Sequence, residues 1–228
     1  MKTSFKVIIP ARKNSKRLTS KNSKVLCGKP LISYSLDFAI KYFEKSDIWV
    51  NTDDEKIVKI AKKYNINIYN RDPRLALDKS SISQVIVDHC KYFIKNKISF
   101  DHIILLQPTN PFRSDINLKE ILNYYLNNNI RSLMTVTEIN KKFGKINGSK
   151  FEPVNYQFEQ RSQSIESYYY ENGALYICQK SIIENEKMII SADVYPYIVN
   201  GNGLNIDIDY QEDFDRAELY LKSKHLLK

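Results

Sequence analysis

Residues 7–31 read VIIPARKNSKRLTSKNSKVLCGKPL. The apolar run Phe5, Val7, Ile8, Ile9 predicts a strand that Pro10 stops, and Arg12, Lys13, Lys16, Arg17, Lys21 and Lys24 then crowd one loop before Gly28-Lys29-Pro30 opens a helix. Strand, loop and helix in that order make the first unit of an α/β sheet. Such sheets bind their ligands at the carboxyl ends of the strands, so a cationic loop there predicts an anionic ligand, most simply a phosphate chain. The loop is not a Walker A motif, because Gly28-Lys29 is followed by Pro30 and the preceding glycine is missing at the required spacing. Taken by itself, the run also reads as a solvated basic surface.

Working outward, the pattern repeats. Leu31, Tyr34, Phe38 and Ala39 recur at helical spacing, Ile48 to Thr52 reads as a second strand, and Thr52 with Glu55 has the spacing of a capping box for a helix carrying Ile57, Ile60, Ala61 and Tyr64. Asn67-Ile68-Tyr69 is a brief third strand that ends in Asn70-Arg71-Asp72-Pro73-Arg74, a second basic strand end. A helix from about Ser80 to Lys95 follows, and its His89 reads as a neighbour of the core, since no acid or nucleophile stands at an interpretable spacing from it. Ile103 to Leu106 is the most apolar strand, hence central, and runs into Gln107-Pro108-Thr109-Asn110-Pro111-Phe112-Arg113. That stiff turn is either a plain strand-to-helix connection or a support holding Gln107 and Arg113 over a ligand. Asp115 is placed to cap the next helix, and Leu133 to Thr137 is another strand.

From 138 to 171 the periodicity breaks down, yet the stretch keeps Phe143, Phe151, Tyr156, Phe158 and Tyr168-Tyr169-Tyr170. Long irregular excursions in compact domains are functional or disordered, and the aromatics argue against disorder. Asn172-Gly173 then introduces a further strand. In Leu204 to Asp209 the alternation throws Asp207 and Asp209 to one side, with Cα atoms about 6–7 Å apart. This pair is read equally as a cation site or as solvent-facing acids on an edge strand.

Four of these segments, taken together, resemble the acylneuraminate cytidylyltransferases, the CMP-sialic acid synthetase family. The opening matches in Ala11-Arg12, Ser15-Lys16, Lys21-Asn22 and Gly28-Lys29-Pro30-Leu31. CMP-Kdo synthetases share Arg12, Ser15, Arg17-Leu18 and Lys21 but have proline at the place of Asn22, so the opening alone does not fix the sugar. Leu105 to Arg113 is similar to the family's Leu-Leu-Gln-Pro-Thr-Ser-Pro-Leu-Arg, with Asn110 and Phe112 as departures, and Kdo enzymes differ here. Asn172-Gly173-Ala174 and Asp207-Ile208-Asp209 complete the order.

The resemblance implies a three-layer α/β/α, mostly parallel Rossmann-like nucleotidyltransferase sheet, one domain over 1–228, with 138–171 as a protruding dimerisation arm. It implies transfer of CMP from CTP to the anomeric hydroxyl of a nine-carbon keto-sugar acid of the N-acetylneuraminate, legionaminate or pseudaminate type. Arg12, Lys16, Lys21 and Asp209 would be catalytic; Arg12, Ser15, Lys21, Asn22, Arg71 and Ser81 would hold CTP; Gln107, Arg161, Asn172 and Tyr176 would face the sugar acid; and Asp207 with Asp209 would hold Mg²⁺. The family's arginine two residues before the Asn-Gly pair is Tyr170 here. A Kdo synthetase, or a nucleotide- or RNA-binding module, is the alternative.

Composition limits the choice. A chain of 228 residues, 43% hydrophobic, can bury one substantial core. No apolar segment approaches the roughly 18 residues of a spanning helix, and Met1-Lys2-Thr3 leads into a strand, so a cytoplasmic protein away from the membrane is expected. Cys27, Cys90 and Cys178 form neither a disulfide ladder nor a CxxC metal site and read as reduced thiols. A net charge of +9 favours a polyanionic small molecule over nucleic acid, because no nucleic-acid motif accompanies it.

Overall fold

The computed structural model describes residues 3–201 and 203–226. Its strands are β1 (Phe5–Pro10), β2 (Val25–Leu26), β3 (Lys29–Pro30), β4 (Ile48–Thr52), β5 (Asn67–Asn70), β6 (His102–Leu105), β7 (Ser132–Ile139), β8 (Gly144–Asn147), β9 (Lys150–Pro153), β10 (Tyr168–Gln179) and β11 (Tyr195–Ile198). The helices are α1 (Leu31–Ile40), α2 (Glu55–Lys63), α3 (Ile82–Lys95), α4 (Leu118–Asn127) and α5 (Gln211–Leu226). Seven strands form one sheet in the order β11-β7-β10-β6-β1-β4-β5. The β5-β4-β1-β6 half is parallel, β10 runs antiparallel to β6 and β7, and β11 is parallel to β7.

Alternation along β1 explains the layers. Val7 and Ile9 pack with Ile32 and Leu36 of α1, Ile57 and Ala61 of α2, and Leu118 and Ile121 of α4. Ile8 points the other way, to Ile86, Cys90 and Phe93 of α3. The sheet is thus covered on both faces, which is why its parallel strands read as continuous apolar runs. β6 lies at the middle of the order, as its composition predicts.

Several expectations are corrected. The cap of α2 is Asp54, whose carboxylate accepts from the Lys56 N–H, while Thr52 belongs to β4 and turns its hydroxyl to the Ala11 carbonyl at 2.5 Å. Asn117 rather than Asp115 occupies the position before α4. Asn172 does not open a strand. β10 begins at Tyr168, its first residues pair with Ile139 to Val136, and Asn172 to Leu175 form a bulge between Glu171 and Tyr176. Residues 138–139 and 168–171 therefore belong to the sheet, and the excursion beyond it is 140–167, carrying the β8–β9 hairpin. β11 escaped the sequence reading because Pro196 argues against a strand, a penalty that vanishes at a sheet edge.

Candidate active site

The order of the sheet reverses at β1: β4 lies on one side of it and β6 on the other. A crevice opens where the loops beyond two such neighbours diverge. A cleft of about 230 Å³ occupies this place, lined by Arg12, Ser15, Lys16, Arg17, Lys21 and Asn22 from the first loop, Arg71 and Asp78 beyond β5, Gln107 and Thr109 beyond β6, and Asp209.

Apolar anchoring brings the two ends of the chain together. Leu18, Leu26 and Leu31 pack with Phe112, Ile206, Ile208, Phe214 and Ala217 in a separate cluster at the cleft's edge. The basic loop returns to this cluster through the short β2–β3 hairpin, whose two turn residues, Cys27 and Gly28, both have positive φ (44° and 89°). Such a turn needs that conformation twice, and glycine supplies one at no steric cost. Residues 204–209 form no ladder strand, but Ile206 and Ile208 still point inward, and the Ile208 N–H donates to the Thr109 carbonyl at 2.8 Å. Asp207 and Asp209 are left on the opposite side, where Asp209 lines the cleft and Asp207 is exposed outside its lining.

The cations meet acids within the cleft. Buried Lys21 donates to the Ile208 carbonyl at 2.7 Å and to Asp209 Oδ1 at 2.8 Å, and Arg17 reaches Asp209 Oδ2 at 2.9 Å. A hydrogen bond to Tyr210, and then the charge of Asp209, raise the Arg17 pKa. Arg12 and Lys16 both grip Asp78, at 2.7 Å each, and their hydrogen bonds hold its carboxyl below the usual range. Asp78 and Arg17 are absent from the site residues expected from sequence. Asp78 stands alone in an irregular stretch, and only its proximity to Arg12 and Lys16 reveals it.

A buried polar chain backs the cationic wall. Arg71 donates through Nε to Asn51 Oδ1 at 2.6 Å and through a terminal nitrogen to the Asn51 carbonyl at 3.0 Å; burial lowers its pKa to about 10, with Asp53 opposing and Arg12 adding to the shift. The Asn51 amide lies 3.4 Å from His89 Nδ1, and burial, then Arg71, push His89 down to about 3. His89 is thus a neutral core group stacked on Tyr69. Asn22 Nδ2 donates to the Arg12 carbonyl at 3.2 Å, fixing the loop. Ser81 caps α3 in a full capping box with Gln84, and it is Ser80 that lines the cleft.

The loop after β6 divides its labour. Gln107 lines the cleft, and its Nε2 donates to the Tyr176 hydroxyl at 3.3 Å. Arg113, 1% exposed, does not: it donates to the carbonyls of Ala174 and Gln107 at 2.6 Å each and to the Ser35 hydroxyl at 3.0 Å. Burial lowers its pKa to about 9. Asn172 is likewise committed to architecture. Its Oδ1 accepts from Thr135 Oγ1 and the Ala174 N–H, and its Nδ2 donates to Thr137 Oγ1, closing the β10 bulge in which Gly173 has φ +72°. Arg161 is exposed on the excursion and is not among the residues lining the cleft.

Among the described residues no group of three or more His, Cys, Asp or Glu could hold a metal ion. Mg²⁺ takes one or two protein carboxylates and completes its shell with phosphate and water oxygens, so Asp207 and Asp209 suit it only when the ion displaces Lys21 and Arg17 from the two Asp209 oxygens. Asp207 keeps an open surface, yet the protein crowded around it and then Asp209 and Asp213 raise its pKa, against Thr109 and Lys21. A carboxylate in that position gains from a bound cation.

The cytidylyltransferase family model matches residues 6–227. An N-acylneuraminate cytidylyltransferase of Streptococcus agalactiae serotype III is 31% identical over 91% of this chain, which spans about half (51%) of that protein's length. CMP-N,N'-diacetyllegionaminic acid synthase of Legionella pneumophila is 31% identical over 92% of this chain and 93% of its own. In fold, a CMP:2-keto-3-deoxy-manno-octonic acid synthetase complexed with CTP superposes with a TM-score of 0.67 at 15% identity, over 97% of this chain and 100% of that one. A mostly parallel sheet flanked by helices, a basic loop at its switch point and these similarities agree: the chain belongs to the cytidylyltransferase family of the N-acylneuraminate and legionaminate type.

Proposed function

We propose that the chain transfers CMP from CTP to the anomeric hydroxyl of a nine-carbon keto-sugar acid of the N-acetylneuraminate, legionaminate or pseudaminate type. The sugar oxygen attacks the α-phosphorus, the bond to the β-phosphate bridge breaks, and pyrophosphate and the hydroxyl proton leave. The observation that carries this reading is the convergence of Arg12, Lys16, Arg17 and Lys21 with Asp209 in one cleft at the sheet's switch point. Both reactants are anions, so the barrier is one of charge and alignment, which positioned cations lower without a covalent intermediate.

In this mechanism Arg12 and Lys16 release Asp78 and take the phosphates. Lys21, fixed by two acceptors, holds the charge that develops on the leaving group. Ser15, Asn22 and Arg71 serve the nucleotide side and Gln107 the sugar acid, while Tyr176, expected from sequence to face the sugar, is buried behind Gln107 and outside the cleft lining. When bound at Asp207 and Asp209, Mg²⁺ would neutralise phosphate charge. A Kdo synthetase is matched at the level of fold alone.

The same reading gives the excursion a partner, a second copy of the chain, since Ile146 is 80% and Phe158 66% exposed there. It also places the protein in the cytoplasm with CTP, in keeping with three unpaired cysteines. No helix among the described residues is long and apolar enough to cross a membrane. The test is pyrophosphate release with each of the four nucleoside triphosphates, Mg²⁺ and a panel of eight- and nine-carbon sugar acids. CTP with a nine-carbon acid is expected to give turnover, and turnover with Kdo alone would overturn the sugar assignment.

A further inference from the structure

Glu171 is assigned no part in the site, yet it sits at the bulge and touches Tyr176, which backs Gln107, the residue proposed to meet the sugar. Its carboxylate accepts a hydrogen bond from the Tyr176 hydroxyl, and the Tyr176 oxygen accepts one from Gln107 Nε2 at 3.3 Å. The direction of this chain follows from chemistry. An ionised carboxylate can only accept, so Tyr176 must donate to it; its oxygen is then left to accept, and Gln107 can satisfy it only through the amide N–H. Burial first, and Glu171 next, push the Tyr176 pKa up, so the phenol keeps the proton that the chain requires.

We infer that Glu171 is a positioning residue for the sugar-acid side of the cleft, which acts through Tyr176 to fix the Gln107 amide with its carbonyl oxygen free to accept. Gln107 otherwise has two amide orientations of similar energy, and the relay selects one. The group it meets is then a hydrogen-bond donor, a hydroxyl or an amide N–H of the sugar acid. The inference rests on the proposed function for its substrate and on the structure for the relay. It also accounts for a bulge at this place: Asn172 to Leu175 bring Glu171 back beside Tyr176, five residues on, which a regular strand would carry well over ten ångströms away.

The test compares Glu171→Met, Tyr176→Phe and the double variant with whichever of N-acetylneuraminate and N,N'-diacetyllegionaminate the wild type turns over. Each single change is expected to raise the KM for the sugar acid about 10-fold, with kcat and the CTP dissociation constant near wild type, and the double variant is expected to be no worse than either single. A wild-type KM in Glu171→Met, which offers Tyr176 no oxygen acceptor, or losses that multiply in the double variant, would overturn the relay. Exchanging the pair, Glu171→Gln with Gln107→Glu, reverses the direction of the chain while keeping an acceptor toward the cleft, so it should recover part of the activity lost in Gln107→Glu alone. If no sugar acid is turned over, the proposed function fails, and NMR of the Gln107 side-chain amide still reads the relay: Tyr176→Phe is expected to speed exchange of one of its two protons, and unchanged exchange refutes it.

Discussion

Two loops leave neighbouring strands of the sheet, and both carry arginine, but they treat it in opposite ways. In the loop after β1, Arg12 and Arg17 face the carboxylates of Asp78 and Asp209 in the cleft, and buried Lys21 shares Asp209 with Arg17. In the loop after β6, Arg113 is sealed beneath the surface and held by two carbonyls and a hydroxyl. A charge balanced by a partly exposed carboxylate, as Arg12 is by Asp78 and Arg17 by Asp209, can exchange that partner for phosphate. A guanidinium surrounded by fixed neutral acceptors cannot leave, because its desolvation is offset only while every N–H it has committed stays bonded. Counter-ion type thus separates the cations proposed to serve a ligand from the one that serves the fold.

The largest effect expected from this contrast is on turnover. Lys21→Met keeps the apolar stem that fills the buried position and removes the ammonium, and kcat/KM for CTP should fall by a factor on the order of 10³. The melting temperature should move by only a few degrees, since Asp209 retains Arg17. Near-normal turnover would place the phosphates elsewhere. Arg113→Met should do the reverse. Its loss strands two buried carbonyls, for about 3–5 kcal/mol of stability and roughly a 10 °C drop in melting temperature, while the folded fraction still binds CTP. A stable Arg113→Met protein that had lost sugar binding would merge the two classes.

A smaller effect concerns Asp78. Because its carboxylate occupies Arg12 and Lys16, Asp78→Asn should tighten CTP binding about two- to five-fold at low ionic strength, with the gain shrinking as salt is added. Titration calorimetry at two salt concentrations reads this. Weaker binding would mean that Asp78 aims the two cations instead of competing for them.

The sequence carried the sheet well because buried parallel strands announce themselves as apolar runs: β4 is predicted residue for residue, and β6 within one. It carried the meeting of the basic loop with Asp209 only through motif order, since nothing local in Leu18 or Ile208 says that they share a cluster. Arg113 and Asn172 show the limit. An arginine after a strand and an asparagine before a glycine look functional by type, and only the three-dimensional partners reveal that one ties down a loop and the other closes a bulge. Asp78 was illegible for the opposite reason, lying in a stretch without periodicity.

The smallest effect tests the acid side of the comparison. The Asp207 carboxyl is raised in the folded state by its surroundings, then by Asp209 and Asp213. A raised acid binds its proton more tightly folded than unfolded, so it destabilises the fold once ionised: the penalty is complete above the folded pKa and disappears as pH falls below the ordinary aspartate range. Asp207→Asn should therefore melt slightly higher than wild type at neutral pH, with the difference closing on acidification. Millimolar Mg²⁺ should narrow the neutral-pH gap by stabilising the wild type alone, because the amide offers no charge to the cation. A variant that melts lower than wild type at neutral pH would show that Asp207 is bonded into the fold, as Arg113 is, and the division between ligand-serving and fold-serving charges would then fail on the acidic side.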